Sequence, residues 1–234
     1  MRSLSGIRRH VCIEVEPERS ASRQLIENLR ILTGTRETPA VPVRTMAESE
    51  EAQVNGEVCP ARIWTVGHST RSADDFNQIL LAHNIGCLVD VRSFPGSRRY
   101  PHFNSSELAL NLKAVGIDYV HLRALGGRRR PSANSRNIAW QNASFRAYAD
   151  HLDTAEFQKG IRELLELARA RHKAVMCAEA LWWQCHRSLI ADVLKSKGAE
   201  VIHILAANKT EKHPYTSAAR IVDGRLSYEG LLLE

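Results

Sequence analysis

From residue 62 onward, short apolar runs alternate with stretches of helical periodicity. The apolar runs are rich in β-branched residues and predict five strands, at 63–66, 87–91, 117–122, 174–177 and 200–205. Between them, apolar side chains recur every three or four positions, which is typical of amphipathic helices. Near the end of the chain, Asp223-Gly224 lies between two short apolar runs and predicts a two-residue hairpin.

This alternation of strands and helices predicts an α/β fold. We expect a mainly parallel open sheet of about five strands with helices on both faces, plus a C-terminal hairpin. In such sheets, ligands bind beyond the carboxyl ends of the strands. Side chains that follow different strands are therefore expected to meet at one rim of the sheet.

The first 60 residues have a different character. Residues 20–32 can form a short amphipathic helix, and the stretch after them contains Pro39, Pro42 and an acidic run at 48–51. This composition is typical of a flexible linker. We therefore expect residues 1–60 to be a flexible extension and residues 61–234 to form a single α/β domain.

Composition places the chain among ordinary globular proteins. It has 234 residues, of which 44% are hydrophobic and 25% are charged. No apolar run is long enough to cross a bilayer, and the N-terminus does not resemble a secretory signal, so we expect a cytoplasmic protein without a membrane partner. The five cysteines are irregularly spaced, which favours reduced thiols over a disulfide framework.

The positive charge is concentrated in the middle of the chain. Between Arg92 and Arg136 there are nine basic and two acidic residues, an excess larger than the net charge of +6 on the whole chain. Such an excess indicates an anionic partner such as phosphate, nucleotide or nucleic acid. The alternative is a solvated basic face, which we favour for the run Arg128–Arg130 taken alone.

Reactive and charged side chains follow three of the predicted strands. The candidate catalytic residues are Cys177, Glu179, His186 and His68, because thiol, imidazole and carboxylate groups support nucleophilic and acid–base chemistry. Cys185, beside His186 at a helix start, is a second candidate nucleophile. The candidate ligand-binding residues are Ser69, Asp90, Arg92, Arg98, Arg99, Trp182 and Arg187. The alternative is structural: buried thiols, and arginines in salt bridges that hold loops together.

The order of these motifs resembles a known family. The matching features are Val66-Gly67-His68-Ser69, Asp90-Val91-Arg92-Ser93, Leu125-Gly126-Gly127, Met176-Cys177-Ala178-Glu179, Cys185-His186-Arg187 and His213-Pro214-Tyr215-Thr216. Over about residues 62–230 the chain resembles the bacterial domain-of-unknown-function family number 488. The resemblance implies an α/β fold and the positions of the site, and it implies no particular activity.

Three kinds of function remain open at this point. The first is an enzyme that acts on a nucleotide or nucleic-acid-like phosphate substrate, the second is a non-catalytic nucleic-acid-binding module, and the third is a metal-binding or thiol redox-sensing protein. The chain has no Cys-x-x-Cys pair, so a zinc site is less favoured than a site without metal. We predict no cofactor, and the sequence does not indicate an oligomeric state.

Overall fold

Six strands form one sheet in the computed structural model, which describes residues 62–130, 132–168 and 172–230. The strands are β1 Arg62–Gly67, β2 Cys87–Asp90, β3 Asp118–His121, β4 Lys173–Cys177, β5 Glu200–Ala206 and β6 Lys209–Lys212. Their order is β3-β2-β4-β1-β5-β6. The first five are parallel, and β6 is antiparallel to β5. The extension predicted at 1–60 lies outside the described residues.

Five α-helices and three short 3₁₀ turns connect the strands. The helices are α1 Ala73–Ala82, α2 Ser105–Ala114, α3 Ala143–Leu152, α4 Ala155–Ala168 and α5 Arg187–Ser196, and the 3₁₀ turns are Pro101–Phe103, Arg123–Leu125 and Trp182–Gln184. Among the residues that the structure describes, no helix combines the length and apolar character needed to span a membrane.

The helix starts follow local capping chemistry. The Ser72 side chain accepts a hydrogen bond from the Asp75 N–H, and the Ser72 hydroxyl donates to the Asp75 carboxylate, as the Ser–Asp spacing predicts. At α2 the cap carries no side-chain hydrogen bond. Asn104 occupies the N-cap and Ser105 is the first helical residue.

Two hydrophobic layers cover the two faces of the sheet. Successive strand residues point to opposite faces, so Val175 lies in one layer while Ala174 and Met176 lie in the other. One layer includes Phe76 and Leu80 of α1 and Leu108 and Leu112 of α2; the other includes Tyr148 of α3, Phe157 and Ile161 of α4, and Leu189 of α5. The predicted helices on both faces are confirmed.

All five predicted strands and the hairpin are present, the hairpin as β7 Arg220–Val222 and β8 Arg225–Ser227. The sixth strand is absent from the sequence-based prediction. Its sequence, Lys-Thr-Glu-Lys, has no apolar position, and its side chains are mostly exposed. It pairs through its backbone with β5 at the edge of the sheet, and a polar edge strand of this kind carries no hydrophobic signal.

A buried hydrogen-bonded chain ties the sheet to the C-terminal segment. The Thr65 hydroxyl lies 2.7 Å from Nδ1 of His203, His203 Nε2 lies 2.9 Å from Nδ1 of His213, and His213 Nε2 lies 2.9 Å from the Asp192 carboxylate. That carboxylate also accepts hydrogen bonds from the Thr216 N–H and hydroxyl and from the Tyr228 hydroxyl. Because a buried polar group without a partner is costly, this chain fixes β1, β5, α5 and the C-terminal segment together.

This buried hydrogen-bonded chain makes the free energy of unfolding depend on pH through His203. Burial, and secondarily His213, lower the pKa of His203 to about 2, whereas the unfolded side chain titrates near 6.5. The unfolded state therefore binds the proton first, and stability is lost as pH falls below about 6.5. We expect His203→Gln to reduce the slope of the unfolding free energy between pH 6.5 and pH 5 by up to about 1.4 kcal/mol per pH unit.

Urea unfolding of both proteins across this pH range provides the measurement. The exposed His172, replaced by Gln in the same way, is the matched control. A slope that stays the same in His203→Gln would show that this imidazole does not remain neutral in the fold.

Candidate functional site

The loop after β1 is joined to the loop after β4 by backbone hydrogen bonds. The His68 N–H donates to the Cys177 carbonyl at 3.0 Å, and the Ser69 N–H donates to the Ala178 carbonyl at 2.8 Å. Gly67 makes this approach possible, because a Cβ at that position would collide with the Glu179 carbonyl. The two loops therefore meet at the rim, as the parallel strand order predicts.

A buried ion pair organises the end of β2. The Arg92 guanidinium donates through Nε and Nη2 to the Asp90 carboxylate, at 2.9 and 2.6 Å. Nη2 also donates to the Phe103 carbonyl, and the Tyr119 hydroxyl donates to Asp90. Asp90 is fully buried and Arg92 is 8% exposed. The charge of Arg92 is thus already paired inside the protein.

His68 packs behind this ion pair. Its Nε2 lies 3.3 Å from Nη1 of Arg92, its Nδ1 lies 2.9 Å from the Ser69 carbonyl, and its ring stacks on Phe103. Burial and then the nearby guanidinium lower the pKa of His68 to about 4. A neutral imidazole with Nδ1–H donating to the carbonyl and Nε2 accepting from Arg92 satisfies both contacts.

Two cysteines meet beyond the end of β4. The Sγ atoms of Cys177 and Cys185 are in direct contact, as in a disulfide bond, while their Cα atoms are 7.6 Å apart. One Sγ atom of each cysteine and a carboxylate oxygen of Glu179 all lie within 4.8 Å of one another. The thiols are buried and the carboxylate is exposed. These three side chains have the donor atoms for a metal ion, and the two thiols alone could form a redox pair.

His186 adjoins this cluster. Its Nε2 lies 3.0 Å from the Val91 carbonyl, and its Nδ1 lies 3.5 Å from Sγ of Cys185. Burial is the main cause that lowers the pKa of His186 to about 4. The Nε2–H therefore donates to the carbonyl, and Nδ1 is an acceptor directed toward the sulfur. Gly127 packs on the ring at a place where a Cβ would not fit.

Arg187 holds the loop after β4 through hydrogen bonds to its backbone. Its side chain is 1% exposed, and Nη2 donates to the carbonyls of Glu179 and Ala180 at 2.9 and 3.2 Å. Burial lowers its pKa to about 10, so the side chain remains a cation at neutral pH. The Arg187 contacts favour the structural alternative, in which the arginine holds the loop.

A cavity of about 540 Å³ opens above the two cysteines. It lies between the loop after β2, the loop after β4, the Gly127–Arg128 segment and α3. Of the predicted residues, Cys177, Glu179, His186, Arg92 and Cys185 line the cavity. His68 and Asp90 contact the cavity wall through Arg92.

The other predicted ligand-binding residues are outside the cavity lining. Ser69 is partly buried at the joined loops, and Arg98 and Arg99 are exposed on the loop before Pro101–Phe103. Trp182 is 7% exposed and stacks on His203, with ring centroids 4.4 Å apart. It anchors the 3₁₀ turn before Cys185.

Sequence reasoning missed several lining residues, namely Ser93, Phe94, Gly96, Gly127, Arg128, Ser144, Phe145, Tyr148, Ala178 and Gln184. For Ser93, Gly127 and Ala178 a signal existed, since each lies in a motif that carries the family resemblance, and Phe94 directly follows one of these motifs. Tyr148 gave no signal, because its place in α3 fits an ordinary core position. Its hydroxyl donates to the Leu125 carbonyl at 2.8 Å, and its ring centroid lies 5.0 Å from that of His186.

The fold and the site define an α/β protein with a polar, thiol-containing cavity at the carboxyl rim of a parallel sheet. A family model described as "Domain of unknown function DUF488" matches residues 72–194, which is more than half of the chain. The chain belongs to this family, as the resemblance of its motifs predicts. No curated protein and no solved structure matches the chain.

The Asp90–Arg92 pair yields a test of what holds the site together. We expect Asp90→Asn to lower the free energy of unfolding by roughly 3–5 kcal/mol, because it leaves a buried guanidinium without its counter-charge. The double variant Asp90→Asn/Arg92→Met removes both charges and should be less destabilised than the sum of the two single variants. Urea denaturation of all four proteins measures this coupling. Additive effects would show that the two side chains do not stabilise each other.

Proposed function

We propose that this protein is an enzyme that acts on a nucleotide or nucleic-acid-like phosphate substrate in the cavity at the rim of the sheet. The observation that carries the proposal is the combination of two features in one cavity. We call the exposed aromatic ring of Phe94 and the neighbouring Arg128 the mouth of the cavity. We call its thiol, carboxylate and imidazole groups, from Cys177, Cys185, Glu179 and His186, the floor.

The mouth of the cavity suits a base and a phosphate. Phe94 is 64% exposed although it is a large apolar side chain, and the Arg128 guanidinium carbon lies 5.9 Å from its ring centroid. The Arg128 backbone N–H donates to the Ser93 hydroxyl at 3.0 Å, which holds the arginine segment next to the aromatic loop. Exposed rings beside arginines bind nucleic acids by stacking on bases and neutralising phosphates.

The floor of the cavity supports chemistry as well as binding. Glu179 offers an exposed carboxylate, and His186 offers an unprotonated Nδ1 in a fixed orientation. The carboxylate can accept or donate a proton at a bound substrate, and the imidazole Nδ1 can accept the proton of the Cys185 thiol. A module that only binds nucleic acid has no need for two thiols, a carboxylate and a neutral imidazole around one cavity. This convergence favours the enzyme over the non-catalytic module.

The mouth is tested by binding. We expect Phe94→Ala to weaken binding of a short fluorescein-labelled single-stranded oligonucleotide by roughly 5- to 100-fold, the cost of one lost base stack. Arg128→Ala should weaken binding and lower the salt slope by about one. Fluorescence anisotropy over a salt series gives both quantities. Leu110→Ala, with the same 64% exposure, and Arg162→Ala on the exposed face of α4 are the matched controls.

A product assay distinguishes the proposed enzyme from a module that only binds nucleic acid. Mass spectrometry of the incubated oligonucleotide and of mononucleotides should show a product with the natural protein and none with Glu179→Gln, whose oligonucleotide affinity should be unchanged. Salt-sensitive binding without any product would identify a non-catalytic nucleic-acid-binding module instead. Equal binding by Phe94→Ala, Arg128→Ala and the natural protein would reject the cavity as the binding site.

A further inference from the structure

We propose that Cys177, Cys185 and Glu179 bind a zinc ion at the floor of the cavity. The site itself is inferred from the arrangement of these side chains, and only the role of the ion in catalysis rests on the function proposed above. No motif in the sequence indicates this ligand set, because the two cysteines are eight positions apart and the carboxylate lies between them.

The donor atoms lie close enough together to be gathered around one ion. Zinc binds thiolate sulfur at about 2.3 Å and carboxylate oxygen at about 2.0–2.2 Å, so neighbouring donors around a tetrahedral ion lie about 3.6–3.8 Å apart. Here two Sγ atoms and one carboxylate oxygen lie within 4.8 Å of one another. The two Sγ atoms are in direct contact here, so a bound ion would hold them further apart.

The backbone spacing favours an ion over a direct disulfide bond. The Cα atoms of Cys177 and Cys185 are 7.6 Å apart, whereas disulfide-bonded cysteines usually hold their Cα atoms at about 4.4–6.8 Å. An ion between the sulfurs separates them by more than a disulfide does and therefore matches a wider backbone. The structure keeps this width, because Arg187 and the joined loop at Gly67 fix the backbone at Glu179.

A backbone N–H at a helix start faces Cys185 and favours its thiolate form, which is the form that binds zinc. The Arg187 N–H lies 3.5 Å from Sγ of Cys185, at the N-terminus of α5, and helix N-termini stabilise negative charge. The Arg187 guanidinium is buried, and among the described residues its Nε atom has no hydrogen-bond partner. Two thiolates and a carboxylate carry three negative charges. A divalent ion and this buried cation together balance them.

The open side of the site faces the cavity. Both thiols are buried, while the Glu179 carboxylate is exposed toward the cavity. Three protein ligands with a remaining open position are typical of catalytic zinc, which binds water there and lowers its pKa to about 7. The ion would lie below Phe94 and Arg128, where the proposed substrate binds.

Metal content of the full chain tests the site directly. The protein purified under reducing conditions should contain or take up one zinc ion per chain, measured by elemental analysis and by competition with a chromophoric chelator. Cys177→Ser and Cys185→Ser should lose the ion, and Glu179→Gln should bind it more weakly. Cys87→Ala and Glu163→Gln, each at a site away from the cavity, are the matched controls and should retain it.

Cobalt substitution keeps the test independent of variants that fail to fold. Cobalt added to the natural protein should produce a thiolate-to-cobalt charge-transfer band with the intensity of a tetrahedral site. The proposal is overturned if the reduced protein binds neither zinc nor cobalt, or if zinc remains bound in the Cys177→Ser/Cys185→Ser double variant. A metal-free protein with a Cys177–Cys185 disulfide under reducing conditions would overturn it as well.

The two proposals fail in different ways. Oligonucleotide binding that depends on Phe94 and Arg128 without any bound metal would remove the zinc site and leave the substrate class standing. Zinc held by the cysteines in a protein that binds no nucleotide or oligonucleotide would leave the metal site standing and remove the substrate class.

Discussion

The buried ion pair between Asp90 and Arg92 is the constraint on which the rim of the sheet depends. Two oppositely charged side chains leave water only if each finds nearly all of its partners inside the protein. Arg92 does so by donating to the Asp90 carboxylate and the Phe103 carbonyl and by facing His68. The Tyr119 hydroxyl donates a further hydrogen bond to the Asp90 carboxylate. The same contacts draw the ends of β1, β2 and β3 together with the Pro101–Phe103 turn. The cavity exists in this form because that set of bonds fixes its wall.

Much of the fold and part of the site could be predicted from sequence. Short apolar runs located the five parallel strands, because most residues of β1, β2, β4 and β5 are buried, although β3 is only partly buried. The parallel order then placed the residues after β1, β2 and β4 at one rim, and the structure brings His68, Arg92 and Cys177 within one connected network. This inference needs no knowledge of side-chain contacts, because it follows from strand direction alone.

The remainder depends on tertiary contacts that a sequence does not display. An arginine in a motif looks the same whether it binds a ligand or a backbone carbonyl, so the structural role of Arg187 is visible only in its contacts. Phe94 and Arg128 are far apart in sequence, and their pairing arises where two irregular loops meet. The contact between Cys177 and Cys185 depends on how the intervening loop folds back, which spacing alone does not determine. The polar strand β6 could not be predicted from the sequence, because backbone pairing at the edge of a sheet imposes no hydrophobic pattern.

Trp182 joins the cavity to the anchorage of the C-terminal segment. Its ring stacks on His203 inside the buried chain that ends at Asp192, and its backbone begins the 3₁₀ turn that leads to Cys185. The floor of the cavity and the anchorage of the C-terminal segment are therefore one mechanical unit. Through these stacked rings, Trp182 connects Asp192, which Thr216 and Tyr228 contact, to the turn before Cys185. The position of the turn before Cys185 thus depends on contacts with residues that follow the sheet in the chain.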